Sequence, residues 1–134
     1  MFGVELNMWA IIVGIVGAQA IGAIWYSPLL FAKAWMGAVG KSPEDLGAQT
    51  PALITSLILA VPTAVAMALV VAWSGASTVV EGLSVGFIVG IGFALAMNAT
   101  NAVFEGRPLT LIGINVGHYV AVYVMQGVLF AVWK

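Results

Sequence analysis

The sequence predicts an all-α protein: a four-helix transmembrane bundle with a short interfacial helix after the first span. Its apolar stretches cover about residues 7–26, 51–73, 79–102 and 109–133 and contain almost no charge. Each is close to or above the roughly 20 apolar residues that a helix needs to cross the hydrocarbon core of a bilayer. A soluble core helix would instead alternate apolar with polar residues. We therefore expect residues 1–134 to form a single membrane domain.

The amino-acid composition also indicates a membrane protein and excludes several kinds of partner. Hydrophobic residues make up 63% of the chain and charged residues 7%, so polar surface cannot cover a soluble globule, and the lipid bilayer is the expected surrounding. The net charge of −1, with four basic residues, gives no footprint for nucleic acid. The absence of cysteine excludes thiolate chemistry, and one histidine leaves little for a metal. We expect no cofactor and no metal.

Ser or Thr stands directly before Pro at three places between the spans, and each pair predicts a helix start. The hydroxyl can cap free amides of the first turn, and proline at the first helical position lacks an N–H that would find no partner there. After the first pair, the apolar side chains between positions 28 and 39 fall on one helical face, which predicts the interfacial helix. The three pairs are Ser27-Pro28, Ser42-Pro43 and Thr50-Pro51.

The second span carries Pro62 near its middle. Proline cannot donate to the carbonyl of Ile58 and clashes with the preceding turn, so we expect a kink there. Neighbouring hydroxyls can compensate for the lost hydrogen bond, and proline is common in membrane helices. The kink is therefore interpreted as a packing feature, with a hinge as the alternative.

The basic residues predict the orientation. An even number of spans places both termini on one side and the two longer connections on the other. Lys33, Lys41 and Arg107 share the side of the connections, whereas Lys134 lies with the termini. The excess of Lys and Arg on cytoplasmic loops then places the loop around Lys41 in the cytoplasm and both termini outside.

Small residues recur at every fourth position within the spans, which predicts faces where helices approach closely. Packing within one chain is favoured over a seam between two copies, although one of these faces can still serve a homo-oligomer. The glycines expected to pack in this way are Gly14, Gly22, Gly82, Gly86, Gly90, Gly113 and Gly117.

Polar side chains inside the spans gather toward the connection side. Such groups are costly in hydrocarbon without partners, so they mark the place to seek function. Helical spacing puts each on the polar face of its own helix, and we expect Glu105 and His118 to face a common, water-accessible cleft. The candidate ligand-binding residues are Gln19, Tyr26, Asn98, Asn101, Glu105, Asn115, His118 and Tyr119.

Three interpretations of this polar cluster stay open. The first is a hydrogen-bonded network that fixes helix register without any ligand. The second is a site for a small molecule or a proton, in which His118 titrates near neutral pH beside Glu105. The third is a metal site, which one imidazole and one carboxylate leave incomplete. No catalytic residue is assigned, because the sequence contains no Ser-His-Asp arrangement, paired carboxylates, HExxH motif or phosphate loop.

One segment resembles a known bacterial family. Trp25-Tyr26-Ser27-Pro28-Leu29-Leu30-Phe31, followed by Lys33, Trp35 and Met36, is similar to the hallmark of the membrane-protein family "domain of unknown function 1761". The segment from Ile114 to Tyr119 and the end at Trp133 also resemble its fourth span. The resemblance implies a compact four-span protein of the inner membrane, and it implies no activity, substrate or catalytic residue.

Two functions remain as expectations. One is a small, self-associating, non-enzymatic membrane protein whose cytoplasmic-side polar cluster binds a small ligand or a proton. The other is an accessory or assembly subunit whose glycine faces dock a larger membrane complex. A ligand or ion beside His118 favours the first, and a dry, fully paired cluster favours the second.

Overall fold

In a computed structural model, which describes residues 2–134, the chain is entirely helical between its loops. Four helical stretches are long and apolar enough to cross a membrane, so the predicted class is confirmed for this part of the chain. The third of them, Val79–Phe104, is continuous but passes through a π-helical segment at Gly90–Leu95. The α-helices are α1 (Met8–Trp25), α2 (Ala32–Val39), α3 (Thr50–Ser74), α4 (Val79–Val89), α5 (Ala96–Phe104) and α6 (Leu109–Val132).

Polar side chains define where the spans begin. The Asn7 side chain accepts hydrogen bonds from the backbone N–H groups of Trp9 and Ala10, at 3.0 and 3.1 Å, and so starts α1. Thr78 and Glu81 form a reciprocal capping box at the start of α4. These contacts satisfy amides that the first turn of a helix leaves without partners.

The interfacial helix is shorter than predicted, because it begins at Ala32 and not at Pro28. The Ser27 hydroxyl donates to the carbonyl of Ile24 at 2.6 Å and accepts from the N–H of Leu29 at 3.3 Å, which holds residues 28–31 in turns. The helix ends at Gly40, whose φ of 72° suits glycine. The Ser-Pro pair therefore starts a turn before the helix.

In the loop that follows, Ser42 and Asp45 form a capping box around the short 3₁₀ helix Pro43–Asp45. The Asp45 carboxylate accepts from the Ser42 N–H at 3.0 Å and from the Ser42 hydroxyl at 2.8 Å. These two hydrogen bonds favour the charged form and hold the pKa of Asp45 below its usual value. Both residues are exposed to solvent.

α6 is the central helix, packing against α1, α3 and α4. Its last turns meet α3 and α1 in the main apolar core, where Phe130 and Ala131 lie against Met67 and Val71. A second, smaller cluster joins Ile112 and Val116 of α6 to the end of the third span. The fourth span is therefore the scaffold on which the other three are arranged.

The two ends of the bundle differ in polar contacts. At one end, called the terminal side below, the Asn7 side chain donates to the backbone carbonyl of Lys134 and the Lys134 ammonium donates to the carbonyl of Ala76. The other end, called the α2 side, carries α2 and the turn at Gly106. The terminal side is thus tied together by hydrogen bonds between distant parts of the chain.

The first part of α3 stands apart from the rest. Residues 50–59 are exposed on every face, and burial begins at Ala60. The helix runs on through Pro62, while the Thr63 hydroxyl donates to the carbonyl of Leu59 at 2.8 Å. The expected kink at Pro62 stays a prediction. The exposure of residues 50–59 leaves one flank of the bundle open on the α2 side.

Candidate functional site

The end of α1 is fastened to α6 by two adjacent side chains. The Trp25 indole N–H donates to the carbonyl of Ile114 at 2.9 Å. The Tyr26 hydroxyl donates to the side-chain oxygen of Asn115 at 2.7 Å. Because both bonds reach the same turn of α6, they fix the register and the rotation of α1 against it.

Glycines make room for these contacts. A Cβ added at Gly117 would lie 2.8 Å from the Trp25 ring, so the indole rests directly on the backbone of α6. A Cβ added at Gly22 would lie 3.2 Å from the Nε2 atom of His118, so the imidazole rests against the backbone of α1. Each of the two helices therefore packs one large ring against a glycine of the other helix.

His118 sits among aromatic rings. Its ring centroid lies 5.2 Å from that of Tyr119, 5.3 Å from Tyr26 and 6.4 Å from Trp25. Phe31 packs on Trp25 at 4.8 Å, and Trp35 meets Tyr26 edge-on at 6.1 Å. The aromatic cluster, as we call it, consists of His118 with Trp25, Tyr26, Phe31, Trp35 and Tyr119.

One atom in the cluster lacks a partner. The Nε2 atom of His118 is buried and makes no hydrogen bond with residues 2–134. A buried polar atom left without a hydrogen bond costs about 1–3 kcal/mol. In a neutral imidazole one ring nitrogen donates and the other accepts, so this atom can receive a proton or pair with a polar ligand.

The chemistry open to the cluster is limited. In the described part of the chain no group of three or more His, Cys, Asp or Glu side chains is placed to hold a metal ion. Of the polar groups near His118, the Tyr26 hydroxyl and the Asn115 amide already bond each other, and Tyr119 adds a second phenol. The arrangement is suited to hydrogen bonding and proton binding within a ring of aromatic surface.

Comparison with known proteins identifies the family. The family described as "Protein of unknown function (DUF1761)" matches residues 9–131, nearly the whole chain. The chain belongs to the DUF1761 family. No curated protein and no solved structure matches it. The resemblance noted in the sequence is thereby confirmed at the level of the family, and DUF1761 membership brings no assigned activity.

In the described part of this DUF1761 protein, the polar contacts of Glu105 and Asn98 do not involve His118. Glu105 ends α5 and pairs with Arg107 in the exposed turn. Asn98 donates to the carbonyl of Ala94 in its own helix, and Asn101 is exposed. The partner of the imidazole is therefore α1, and the cleft expected between Glu105 and His118 is not built from these contacts.

Gln19 also points elsewhere. Its side-chain oxygen accepts from the Ser56 hydroxyl at 3.2 Å, which ties α1 to the open part of α3. Of the predicted binding residues, the structure brings together Tyr26, Asn115, His118 and Tyr119.

Sequence reasoning missed two kinds of site residue. The aromatic side chains at 25, 31 and 35 were not among the predicted site residues, yet they surround His118 or its neighbours. Gln126, a lone amide in an apolar span, was not considered at all, yet it is the one polar residue in 2–134 that is completely buried. Its isolation in the sequence was the available signal.

The glycines predicted to pack divide into three cases. Those at 82, 86 and 90 lie against the backbone or the Val120 side chain of α6, within one chain. Gly14 and Gly22 receive Phe130 and His118, and Gly117 receives Trp25. Gly113 differs, because a Cβ there would meet nothing within 4 Å. Within residues 2–134 there is open space where its side chain would lie.

Proposed function

We propose that this DUF1761 protein is a non-catalytic, multi-pass protein of the bacterial inner membrane that binds a proton or a small polar ligand at His118. The observation that carries the proposal is the buried Nε2 atom of His118, which has no hydrogen-bond partner within residues 2–134. A group that is costly to leave unpaired in hydrocarbon is a candidate for function. We expect the α2 side to face the cytoplasm, because more Lys and Arg residues lie in its connections than at the termini.

Access supports the same proposal. Tyr119 is 39% exposed, so the cluster reaches the surface of the bundle. Residues 50–59 of α3 leave that flank open to lipid. An amphiphilic ligand with a polar head could therefore enter sideways from the bilayer, with its head group at His118 and its apolar part against the aromatic rings.

Proton binding can be tested through Trp25, which is next to His118. Purified protein in nanodiscs is titrated between pH 4 and 8 while tryptophan fluorescence is recorded, and the signal of Trp25 is the difference between the native protein and Trp25→Phe. We expect a one-proton transition in this difference that disappears in His118→Gln. The titratable groups whose rings lie next to His118 are Tyr26 and Tyr119. Trp9→Phe, at an exposed tryptophan of the terminal side, is the control and should keep the transition.

Ligand binding is tested by native mass spectrometry from a gentle detergent. A bound small molecule appears as mass above the 13.9 kDa of the chain. We expect His118→Gln to lose it and Ser84→Ala, at an exposed position whose hydroxyl bonds its own helix, to keep it. A protein with neither a His118-dependent transition nor a His118-dependent bound mass would end the proposal.

A second candidate function is favoured by one observation, the exposure of residues 50–59 of α3 on all faces. A membrane helix whose residues are exposed on every face offers a surface to another membrane protein, either a second copy or a different subunit. The same mass spectra distinguish these: twice the mass of the chain indicates a homodimer, and an unequal addition in the kilodalton range indicates an accessory role. The chain mass alone would exclude both.

A further inference from the structure

We propose that Gln126 is the inner end of a water-binding site that enters the bundle from the terminal side. Gln126 lies within α6 and is 0% exposed. Its side-chain nitrogen donates to the carbonyl of Gly14 in α1 at 3.2 Å. Its side-chain oxygen is buried and accepts no hydrogen bond from residues 2–134. A water molecule is the smallest donor that satisfies such an oxygen, and buried waters typically bind otherwise unpaired polar atoms.

A cavity lies on the terminal side of this amide. It has a volume of about 30 Å³, and a water needs roughly 10–15 Å³ of such space. Its rim carries polar side chains at Glu5, Asn7 and Lys134, and its apolar wall includes Ala72 of α3. Both side-chain atoms of Asn7 already have partners, so the Glu5 carboxylate and the remaining N–H groups of Lys134 are the groups that can bond water in the cavity.

Gln126 lies directly inward of this cavity. Ala10 and Phe130 line the cavity, and they are one helical turn from Gly14 and Gln126 respectively, a distance of about 6 Å along the helix axes. The Phe130 ring rests on Gly14, because a Cβ there would lie 2.7 Å from its edge. The ring therefore lies between the cavity and the amide, and the proposed route of water to the Gln126 oxygen passes it.

This site is separate from the one at His118. The two residues are eight positions apart on α6, or about 12 Å along its axis. Between them, Met125 covers Gly17 of α1, where a Cβ would lie 2.9 Å from the methionine methyl. Water at Gln126 therefore neither requires nor implies a ligand at His118.

The three glutamines of the chain provide the test. Protein labelled with ¹⁵N-glutamine is placed in nanodiscs, and magnetisation transfer from water to each side-chain amide is measured by NMR. Gln49, exposed in the loop before α3, is the positive control. We expect transfer to the Gln126 amide in spite of its burial. Transfer to Gln49 without transfer to Gln126 overturns the proposal.

A matched pair of variants on α3 tests the route. Ala72→Leu places a larger side chain in the cavity wall and should reduce water transfer to Gln126 about fivefold or more. Ala66→Leu, at an exposed position of the same helix, should leave it unchanged. If Ala72→Leu does not fold, the smaller Ala72→Val is measured instead. Unreduced transfer in a folded cavity variant overturns entry from the terminal side.

Discussion

At Gly86 the backbones of α4 and α6 come into direct contact. A Cβ at this position would overlap the carbonyl oxygen of Tyr123 and lie 2.6 Å from the Cα of Val124. Both neighbours are backbone atoms, which cannot move aside as a flexible side chain can. In a bilayer, where lipid removes the hydrophobic drive between helices, such close packing is a main source of helix association.

We therefore expect Gly86→Leu to lower the melting temperature strongly or to prevent folding. Overpacking costs about 1–3 kcal/mol in ordinary cores, and separating two backbones lies at or above the upper end of this range. Thermal unfolding in detergent, followed by circular dichroism, measures the effect. Gly113→Leu is the control, since a Cβ at Gly113 meets nothing within 4 Å. Equal melting temperatures for the two variants would contradict the role of Gly86.

A second prediction for single residues concerns the hydroxyl of Tyr26. Tyr26→Phe keeps the ring beside His118 but removes the hydrogen bond to Asn115. We expect a loss of stability of about 1 kcal/mol, the usual contribution of one such bond within membranes or in water. Tyr119→Phe, on the more exposed ring of the cluster, should lose less. The melting temperatures of the two variants are compared by thermal unfolding in the same detergent.

Among the helices, the four spans were predictable from the sequence, but the π-helical segment in the third span and the start of α2 were not. Length and apolarity alone located each span to within about two residues, because hydrocarbon thickness sets a strict minimum. The π-helical segment Gly90–Leu95 was not expected, since no periodic pattern marks it. The start of α2 was misplaced because Ser27 forms a turn with its own neighbours before the helix begins.

The candidate site was half predictable for a related reason. Helical spacing placed Asn115, His118 and Tyr119 on one side of α6, and Tyr26 was brought to them because α1 ends at that level. Spacing within single helices does not tell which helix a face meets. Glu105 was therefore assigned to the cluster, although its position at the end of α5 lets it pair with Arg107 in the turn.

The loop element Pro43–Asp45 has a pH dependence that follows from its capping box. The pKa of Asp45 lies below its usual value because the charged carboxylate accepts two hydrogen bonds from Ser42. A lowered pKa stabilises the folded loop above the unfolded value of about 3.9, and this contribution is lost as the pH falls through the lower, folded value. The chemical shift of the Ser42 amide should therefore be constant from pH 7 to about 5 and change below about 4. In Asp45→Asn that change should be absent, and its persistence would assign the effect to another group.

At the scale of the whole molecule, the two buried side-chain atoms that lack partners within residues 2–134 lie on one helix, at different depths. The nitrogen of His118 and the oxygen of Gln126 both belong to α6, and both residues contact α1. One lies toward the α2 side and the other is closer to the terminal side, with Met125 on Gly17 between them. The interface of α1 and α6 therefore has one buried polar group toward each side, with the packing of Met125 on Gly17 between them. What each group encounters in the cell depends on which side faces the cytoplasm.

Orientation is accordingly the last prediction. Lys33, Lys41 and Arg107 all lie on the α2 side, so we expect that side to be cytoplasmic. The chain has no cysteine, so single substitutions give an unambiguous signal. Lys41→Cys should resist a membrane-impermeant thiol reagent in intact cells and react once the cells are permeabilised. Ser77→Cys, in the exposed loop between α3 and α4 on the terminal side, should react in both conditions. Labelling at 41 with protection at 77 would reverse the orientation, and His118 would then take its proton or ligand from outside the cytoplasm.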